Sequence, residues 1–244
     1  MTPDTFIWPS DIFILIPAFN AAGTLVKLFP VLTAIIPKES ICVSDDGSQD
    51  ETANVCRAAG IACIPNAVNK GKGAALAKGF NHLLEENSAS WIITLDADGQ
   101  HAPADLPLFV AATKQYPCAG MIIGKRLMRP GTMPLARIAS NKLTSSTLSL
   151  LTGKRILDSQ CGFRAYSRNL LLAAPCRFDR FEMESEIIMR ACNMGFSVNF
   201  IDVQTLYLSS QSHISHVADT LRWLWAVLTV FLELRRNTRD HVHA

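Results

Sequence analysis

Ile12-Phe13-Ile14-Leu15-Ile16 is an unbroken apolar run that stops at Pro17, the pattern of a strand buried on both faces. A helix is expected from about Ala21 to Ile36, closed by Pro37. Ile41-Cys42-Val43-Ser44 predicts a second strand, followed by the polar turn Asp45-Asp46-Gly47-Ser48. Gln49 to Ala59 reads as a helix that Gly60 stops, and Ile61-Ala62-Cys63-Ile64 as a third strand. Gly73 to Glu86 predicts a helix with small residues on one side, and Trp91 to Leu95 a fourth strand. A helix from Asp105 to Gln115 leads to a fifth strand, Gly120-Met121-Ile122-Ile123.

Strands and helices alternating at this spacing imply right-handed βαβ units and a mostly parallel, doubly wound sheet flanked by helices. After Ile123 the pattern loosens. Residues 124–135 carry Lys125, Arg126 and Arg129 among prolines and glycine and read as a mobile basic loop. Helices are expected from about Pro134 to Leu151 and from Met183 to Asn193, with a turn-and-strand unit at Asp158 to Tyr166 between them. Phe196 to Val203 reads as a strand, and the last thirty residues as helical.

The polar positions matter as much as the apolar ones. Ligands of such sheets bind beyond the carboxyl ends of the strands. Asn20, Asp45-Asp46, Asn66 to Lys72 and Asp96 to Gln100 each follow a strand directly, so four polar segments converge on one edge.

With 244 residues, 49% apolar and 18% charged, the chain suits one large α/β domain with an ample core. A formal charge of +2 argues against a protein that holds nucleic acid by bulk electrostatics. The seven cysteines include no CxxC pair and read as reduced packing residues, for which a cytosolic compartment is expected. The N-terminus, with Asp4 and Asp11, lacks the basic-then-apolar order of a signal peptide. No apolar run reaches the roughly 18 residues of a spanning helix, and Trp223 to Leu232 is too short.

Asp96-Ala97-Asp98 has the form DxD after a buried strand, with Gln100 a third oxygen donor at the same spacing. Mg²⁺ is commonly held by one or two carboxylates plus substrate phosphates, so these residues suit Mg²⁺ or Mn²⁺ on a diphosphate. The alternative is a polar strand end with an Asx turn at Asp98-Gly99. A carboxylate at Asp45-Asp46 can accept hydrogen bonds from a ribose or a base. Asn69-Lys70-Gly71-Lys72-Gly73, a flexible cationic segment opening a helix, suits contact with a nucleotide. Neither GxxxxGK[ST] nor GxGxxG is present, which disfavours a P-loop ATPase and a Rossmann dehydrogenase.

Four segments occur in order: Ile16-Pro17-Ala18-Phe19-Asn20, Val43 to Asp50, Asn69 to Ala75 and Asp96 to His101. Gly124-Lys125-Arg126, the helix bearing Arg137 and Asn141, Asp158-Ser159-Gln160-Cys161-Gly162-Phe163-Arg164 and Phe181 to Glu186 extend the set. Over residues 11–210 the chain resembles the inverting family-2 glycosyltransferases, in the branch of dolichyl-phosphate mannose synthase and polyprenyl-phosphate glycosyltransferases. The resemblance implies a GT-A, Rossmann-like domain over residues 1–210 and a C-terminal amphipathic helical segment over 211–244. It implies that Pro17, Ala18 and Phe19 line the nucleotide base, that Asp46 contacts base or ribose, and that Lys72 lies near the nucleotide. Asn20, Asp45 and Ala97 complete the donor side. By the same resemblance Asp96, Asp98 and Gln100 hold Mg²⁺ or Mn²⁺, Arg126 and Arg137 receive an acceptor phosphate, and Asp158, Gln160 and Arg164 shape the pocket. Two positions depart from the family pattern: Ala21 stands where Glu is usual, and Cys161 where Ser is usual.

The chemistry is coherent with that set. A divalent cation on a glycosyl diphosphate stabilises the leaving group, and single-step displacement inverts the anomeric carbon. A lipid-phosphate acceptor is already anionic and needs cations, which Lys125, Arg126, Arg129 and Arg137 supply. A hydroxyl acceptor, on a glycolipid or polysaccharide, needs a general base, for which Glu184 and Glu186 are available. A nucleotidyltransferase shares the metal logic but usually opens with a Gly-rich, Arg-containing loop; a non-catalytic scaffold is the third class. The C-terminal Trp223, Trp225, Leu228, Phe231 and Leu232, flanked by Arg222, Arg235 and Arg236, suit a helix in the membrane interface or one packed on the domain. His213 and His216 precede it as surface or acceptor-side residues. The expectation is a cytoplasmic enzyme on the inner face of the cytoplasmic membrane, taking a nucleotide-sugar donor and no nucleic acid.

Overall fold

The computed structural model describes residues 6–86, 88–128, 133–204, 206 and 216–240, without the side chains of 216–219 and 237–240. Seven strands form one sheet: β1 (Ile12–Ala18), β2 (Ile41–Asp45), β3 (Ala62–Pro65), β4 (Trp91–Thr94), β5 (Ala119–Arg126), β6 (Arg164–Ser167) and β7 (Ser197–Val203), in the order β3-β2-β1-β4-β6-β5-β7. Every residue of β1, β2 and β4 is buried, as their apolar runs require of strands covered on both faces. The helices are α1 (Ala22–Thr33), α2 (Thr52–Ala59), α3 (Lys72–Glu86), α4 (Leu106–Gln115), α5 (Leu135–Thr152), the short α6 (Arg168–Ala173), α7 (Glu182–Asn193) and α8 (His216–Asp240). Gly60 takes the left-handed conformation, φ 68°, that ends α2. The small residues of α3 have a steric reason: a Cβ on Gly79 would press into the Leu15 side chain, so glycine lets α3 lie close on β1.

One feature departs from the sequence expectation and a second refines the mostly parallel sheet. The basic segment after Ile123 is not all loop, because β5 runs on to Arg126, where Gly124, Lys125 and Arg126 pair with Ile201, Asp202 and Val203 of β7. Arg129 lies outside the described residues. Secondly, β6 is antiparallel to both β4 and β5, while the other pairs are parallel. Because β6 runs backwards, its first residue, Arg164, lies on the edge where β4 and β5 end, with Thr94 and Ile123 as its ladder partners. The segment 158–163 therefore reaches the same edge as the four polar strand ends. The sheet order reverses direction between β1 and β4, the switch point at which ligands of such folds bind.

Helix α7 is buried on nearly all sides, including Glu182, Glu184, Glu186 and Arg190. One cover is α8, whose Ala226, Val227, Val230 and Leu234 are buried and whose Trp223 Nε1 donates to Ser185 Oγ at 2.9 Å. Glu233 of α8 pairs with Arg190 at 3.3 Å and Arg177 at 2.8 Å. The opposite face of α8 exposes Leu221, Leu224, Trp225, Leu228 and Leu232. The helix thus packs on the domain and still presents an apolar face. Among the described residues no helix is long and apolar enough to cross a membrane.

Candidate active site

The first polar strand end is built by its own hydrogen bonds. Asn20 (φ 50°) accepts Gln49 N–H on Oδ1 at 2.9 Å, and its own N–H donates to Ser48 Oγ at 2.8 Å. Asn20 is exposed, whereas Asp45 is buried and accepts Ser48 N–H at 3.0 Å. Where the chain has Ala21, the start of α1 is served by the 50–52 turn: Thr52 Oγ1 accepts Ala21 N–H and Asp50 Oδ2 accepts Ala22 N–H. Of the residues expected to line a base, Pro17 and Ala18 are buried in β1 and Phe19, just past the strand, is exposed. Asp46 is buried, and its carboxylate accepts from Asn66 Nδ2 (2.9 Å), Lys70 N (3.0 Å) and Gly71 N (2.6 Å). Here it shapes the 66–71 loop. That loop packs against 178–181: Ala74 N–H donates to Asp179 O, and a Cβ on Gly73 would meet Phe178 O and Arg180 O at 2.6 Å.

The charged centre lies one strand over. Lys72, first residue of α3, places Nζ 2.7 Å from Asp96 Oδ1 and 3.2 Å from Glu184 Oε1. His101 Nε2 sits 3.4 Å from Asp96 Oδ2, with its ring against Phe163. Gly162 packs directly on the same carboxylate. Burial alone would raise the pKa of Asp96, but the Lys72 ammonium and then His101 outweigh it and hold the group well below its usual range. Burial works against the charge on Lys72 too, and Asp96 with Glu184 raises it above the ordinary lysine value. Ala97 is buried, whereas Asp98 opens to solvent and accepts Gln100 N–H at 2.9 Å, closing the Asx turn that the alternative reading offers. Crowding by the surrounding protein, and then the Asp96 carboxylate, raise the Asp98 pKa. A carboxylate disfavoured by its neighbour is one that a cation relieves.

Among the described residues no three His, Cys, Asp or Glu side chains form a ready metal cage. The donor set nonetheless fits a hard divalent ion that takes its remaining oxygens from a diphosphate: Asp96 and Asp98 carboxylates with the Gln100 carboxamide nearby. Asp96 Oδ1 is buried against the Lys72 ammonium at 2.7 Å, so this carboxylate already has a positive charge beside it.

The third group comes from the reversed strand. Asp158 is fully buried and receives Arg126 through Nε and Nη2, both at 2.9 Å, together with Asn141 Nδ2 at 2.7 Å. Burial opposes its charge, but Arg126 lowers its pKa below the usual range. Arg126 therefore bears on Asp158. Arg164, also fully buried, donates to Cys161 O (2.6 Å), Ser159 O (2.8 Å) and Glu184 O (2.9 Å), joining the 158–163 loop to α7. Cys161 is enclosed there, and burial pushes its thiol up to about 12, so it behaves as a small neutral residue. Gln160 is exposed beside α5, bonding Ser140 and Thr144 through Nε2. Arg137, in the first turn of α5, is partly exposed and makes no ion pair among the described residues. Glu186 is engaged by Arg190 (2.8 Å) and by Arg177 and Phe178 N–H groups. Sequence reasoning assigned no role to His101 and Gly162, since only the return of β6 brings Gly162 and Phe163 onto the DxD turn. His213 lies outside the described residues, as does the side chain of His216.

The family model described as Glycosyl transferase family 2 matches residues 13–173, from β1 to the end of α6. The chain belongs to that family. This family-2 glycosyltransferase is 28% identical over 222 residues to the UDP-N-acetylglucosamine–dolichyl-phosphate N-acetylglucosaminyltransferase of Methanococcus voltae, covering 80% of this chain and 86% of that one. It is 30% identical over 202 residues to the polyprenol monophosphomannose synthase of Mycolicibacterium smegmatis, covering 76% and 73%. In fold, it superposes on the glucosyl-3-phosphoglycerate synthase of Mycobacterium tuberculosis, solved with Mn²⁺, UDP and glucosyl-3-phosphoglycerate. The TM-score is 0.70 at 18% identity, covering 91% of this chain and 80% of that one. The fold of this glycosyltransferase is the GT-A arrangement.

Proposed function

We propose that this enzyme moves a sugar from a nucleotide-diphosphate donor to a polyprenyl-phosphate acceptor, with inversion and with Mg²⁺ or Mn²⁺ at Asp96, Asp98 and Gln100. One observation carries the acceptor class. A hydroxyl acceptor needs a free base, yet Glu184 is tied to Lys72 and Glu186 to Arg190. A phosphate acceptor needs only a cation, and Arg137 stands partly exposed without an ion-pair partner among the described residues. Exposed Leu135, Leu143 and Leu150 on the same helix suit an acceptor whose phosphate is joined to an apolar chain. The names of the two relatives, each acting on a polyprenol or dolichyl phosphate, support the same reading.

In this reading the donor lies across the switch point, its base beside Phe19 and its diphosphate over the DxD turn. Asp96, Asp98 and Gln100 would hold the cation, which would supply charge neutralisation for the departing nucleoside diphosphate. Arg137 orients the acceptor phosphate, whose oxygen attacks the anomeric carbon from the face opposite the leaving group. Asp158 holds Arg126 beside α5, and Arg164 ties the loop behind the donor to α7. The exposed face of α8, with Arg222, Arg235 and Arg236 around it, lies in the membrane interface where such an acceptor resides. The decisive assay compares polyprenyl phosphate with the matching free polyprenol as acceptors for a radiolabelled sugar-nucleotide. Transfer only to the phosphate, and its loss in Arg137→Ala but not Glu186→Gln, is expected. Transfer to the free alcohol that survives Arg137→Ala would refute the acceptor class.

A further inference from the structure

Lys72 is held unequally by its two carboxylates. With Glu184 Oε1 it makes a hydrogen bond of regular geometry at 3.2 Å. With Asp96 Oδ1 it is closer, at 2.7 Å. Glu184, in α7, gives it a second carboxylate outside the set that suits a divalent ion. The partner it neutralises is Asp96, one of the carboxylates that suit a divalent ion. Two positive charges cannot share Asp96 Oδ1 at contact distance without strong repulsion. A lysine, as a flexible point charge, can shift while keeping one of its donors engaged.

We propose that Lys72 is a tethered cation. It stands in for the divalent ion on Asp96 while the donor site is empty, and passes to the donor's phosphate oxygens when nucleotide and ion arrive. Glu184 holds it in both positions. The inference rests on the donor and metal reading given above and adds to it a competition: the protein's own ammonium suppresses binding of the free ion and favours binding of the ion together with a diphosphate. An empty site thus keeps its carboxylate neutralised without metal, and the loaded site gains a second cation on the leaving group.

The consequence is a pair of effects with opposite signs. In Lys72→Met, Mn²⁺ alone, counted by electron paramagnetic resonance of the free ion, should bind about tenfold tighter or more, because the competing charge is gone. In saturating Mn²⁺ the same variant should bind UDP or GDP, whichever the wild-type enzyme prefers, about tenfold more weakly, for want of a charge-assisted phosphate contact. Lys72→Arg, which keeps the charge, should restore the weak binding of free Mn²⁺. Asp98→Asn should weaken Mn²⁺ binding in either background. A merely structural lysine would weaken both ligands when removed, so unchanged or weaker Mn²⁺ binding in a folded Lys72→Met protein overturns the proposal. Should that variant fail to fold, Lys72→Met with Glu184→Gln removes one charge of each sign and carries the same expectation for Mn²⁺. A wild-type protein that binds neither Mn²⁺ nor nucleotide overturns the donor reading and this inference together. One that binds both, with no tightening on loss of Lys72, overturns this inference alone.

Discussion

Gly162→Ala adds one methyl group at the point where the reversed strand meets the DxD turn. An ideal Cβ there would lie 2.3 Å from Asp96 Oδ2 and 2.8 Å from its Cγ, whereas ordinary contact begins near 3.4 Å. The carboxylate must therefore retreat by about 1 Å, several times the tolerance of about 0.2 Å within which metal–ligand distances are held. The loop cannot yield instead, because Thr94 Oγ1 holds Gly162 O at 2.8 Å and Arg164 holds Cys161 O at 2.6 Å. Over-packing of this kind costs about 1–3 kcal/mol of stability. A 1 Å misplacement at a reacting centre costs about 10²-fold in rate. The variant should thus remain folded in urea titrations, lose about two orders of magnitude in sugar transfer, and bind Mn²⁺ with UDP or GDP less tightly by calorimetry. Full activity with unaltered Mn²⁺ affinity would refute the placement of Asp96 against Gly162, and with it the role of β6 in building the site.

Two further outcomes follow from the same geometry. Asp158→Asn leaves the Arg126 guanidinium with a neutral partner and should cost about 3 kcal/mol, the low end for a broken buried pair because Arg126 retains some solvent contact. Because Arg126 and Asn141 depress the folded-state pKa of Asp158 against the opposing effect of burial, its contribution is complete above the unfolded value of about 3.9 and is lost as pH falls towards the folded one. The gap in urea midpoint between wild type and variant should be wide at pH 7 and narrow below about pH 4; a constant gap would contradict the ion pair. On α8, Leu224→Ser with Leu228→Ser alters only exposed positions and should change stability by no more than about 0.5 kcal/mol each. Sedimentation with anionic phospholipid vesicles should fall about tenfold, and unchanged partitioning would remove the membrane role from this face.

The order of strands and helices was legible in the sequence because buried strands here are continuous apolar runs and each is halted by a polar turn. That periodicity is local, and so is the rule that ligands gather past parallel strand ends; together they single out Asn20, Asp45, Asp46, Lys72 and the DxD turn as candidates. What those residues touch was not legible. Lys72 meets Glu184 across 112 residues of chain, and Arg126 meets Asp158 across 32. Which opposite charges pair depends on distance and burial, and composition carries neither. The antiparallel course of β6 is the clearest case, since a short strand reads alike in either direction while only its neighbours decide its hydrogen-bond ladder. That direction brings Asp158, Gly162 and Arg164 to the edge where the polar strand ends gather. The sequence by itself determined which chemical groups the enzyme possesses and roughly where they emerge from the sheet. The tertiary structure decided which of them stay open to a ligand and which are already held by another part of the chain.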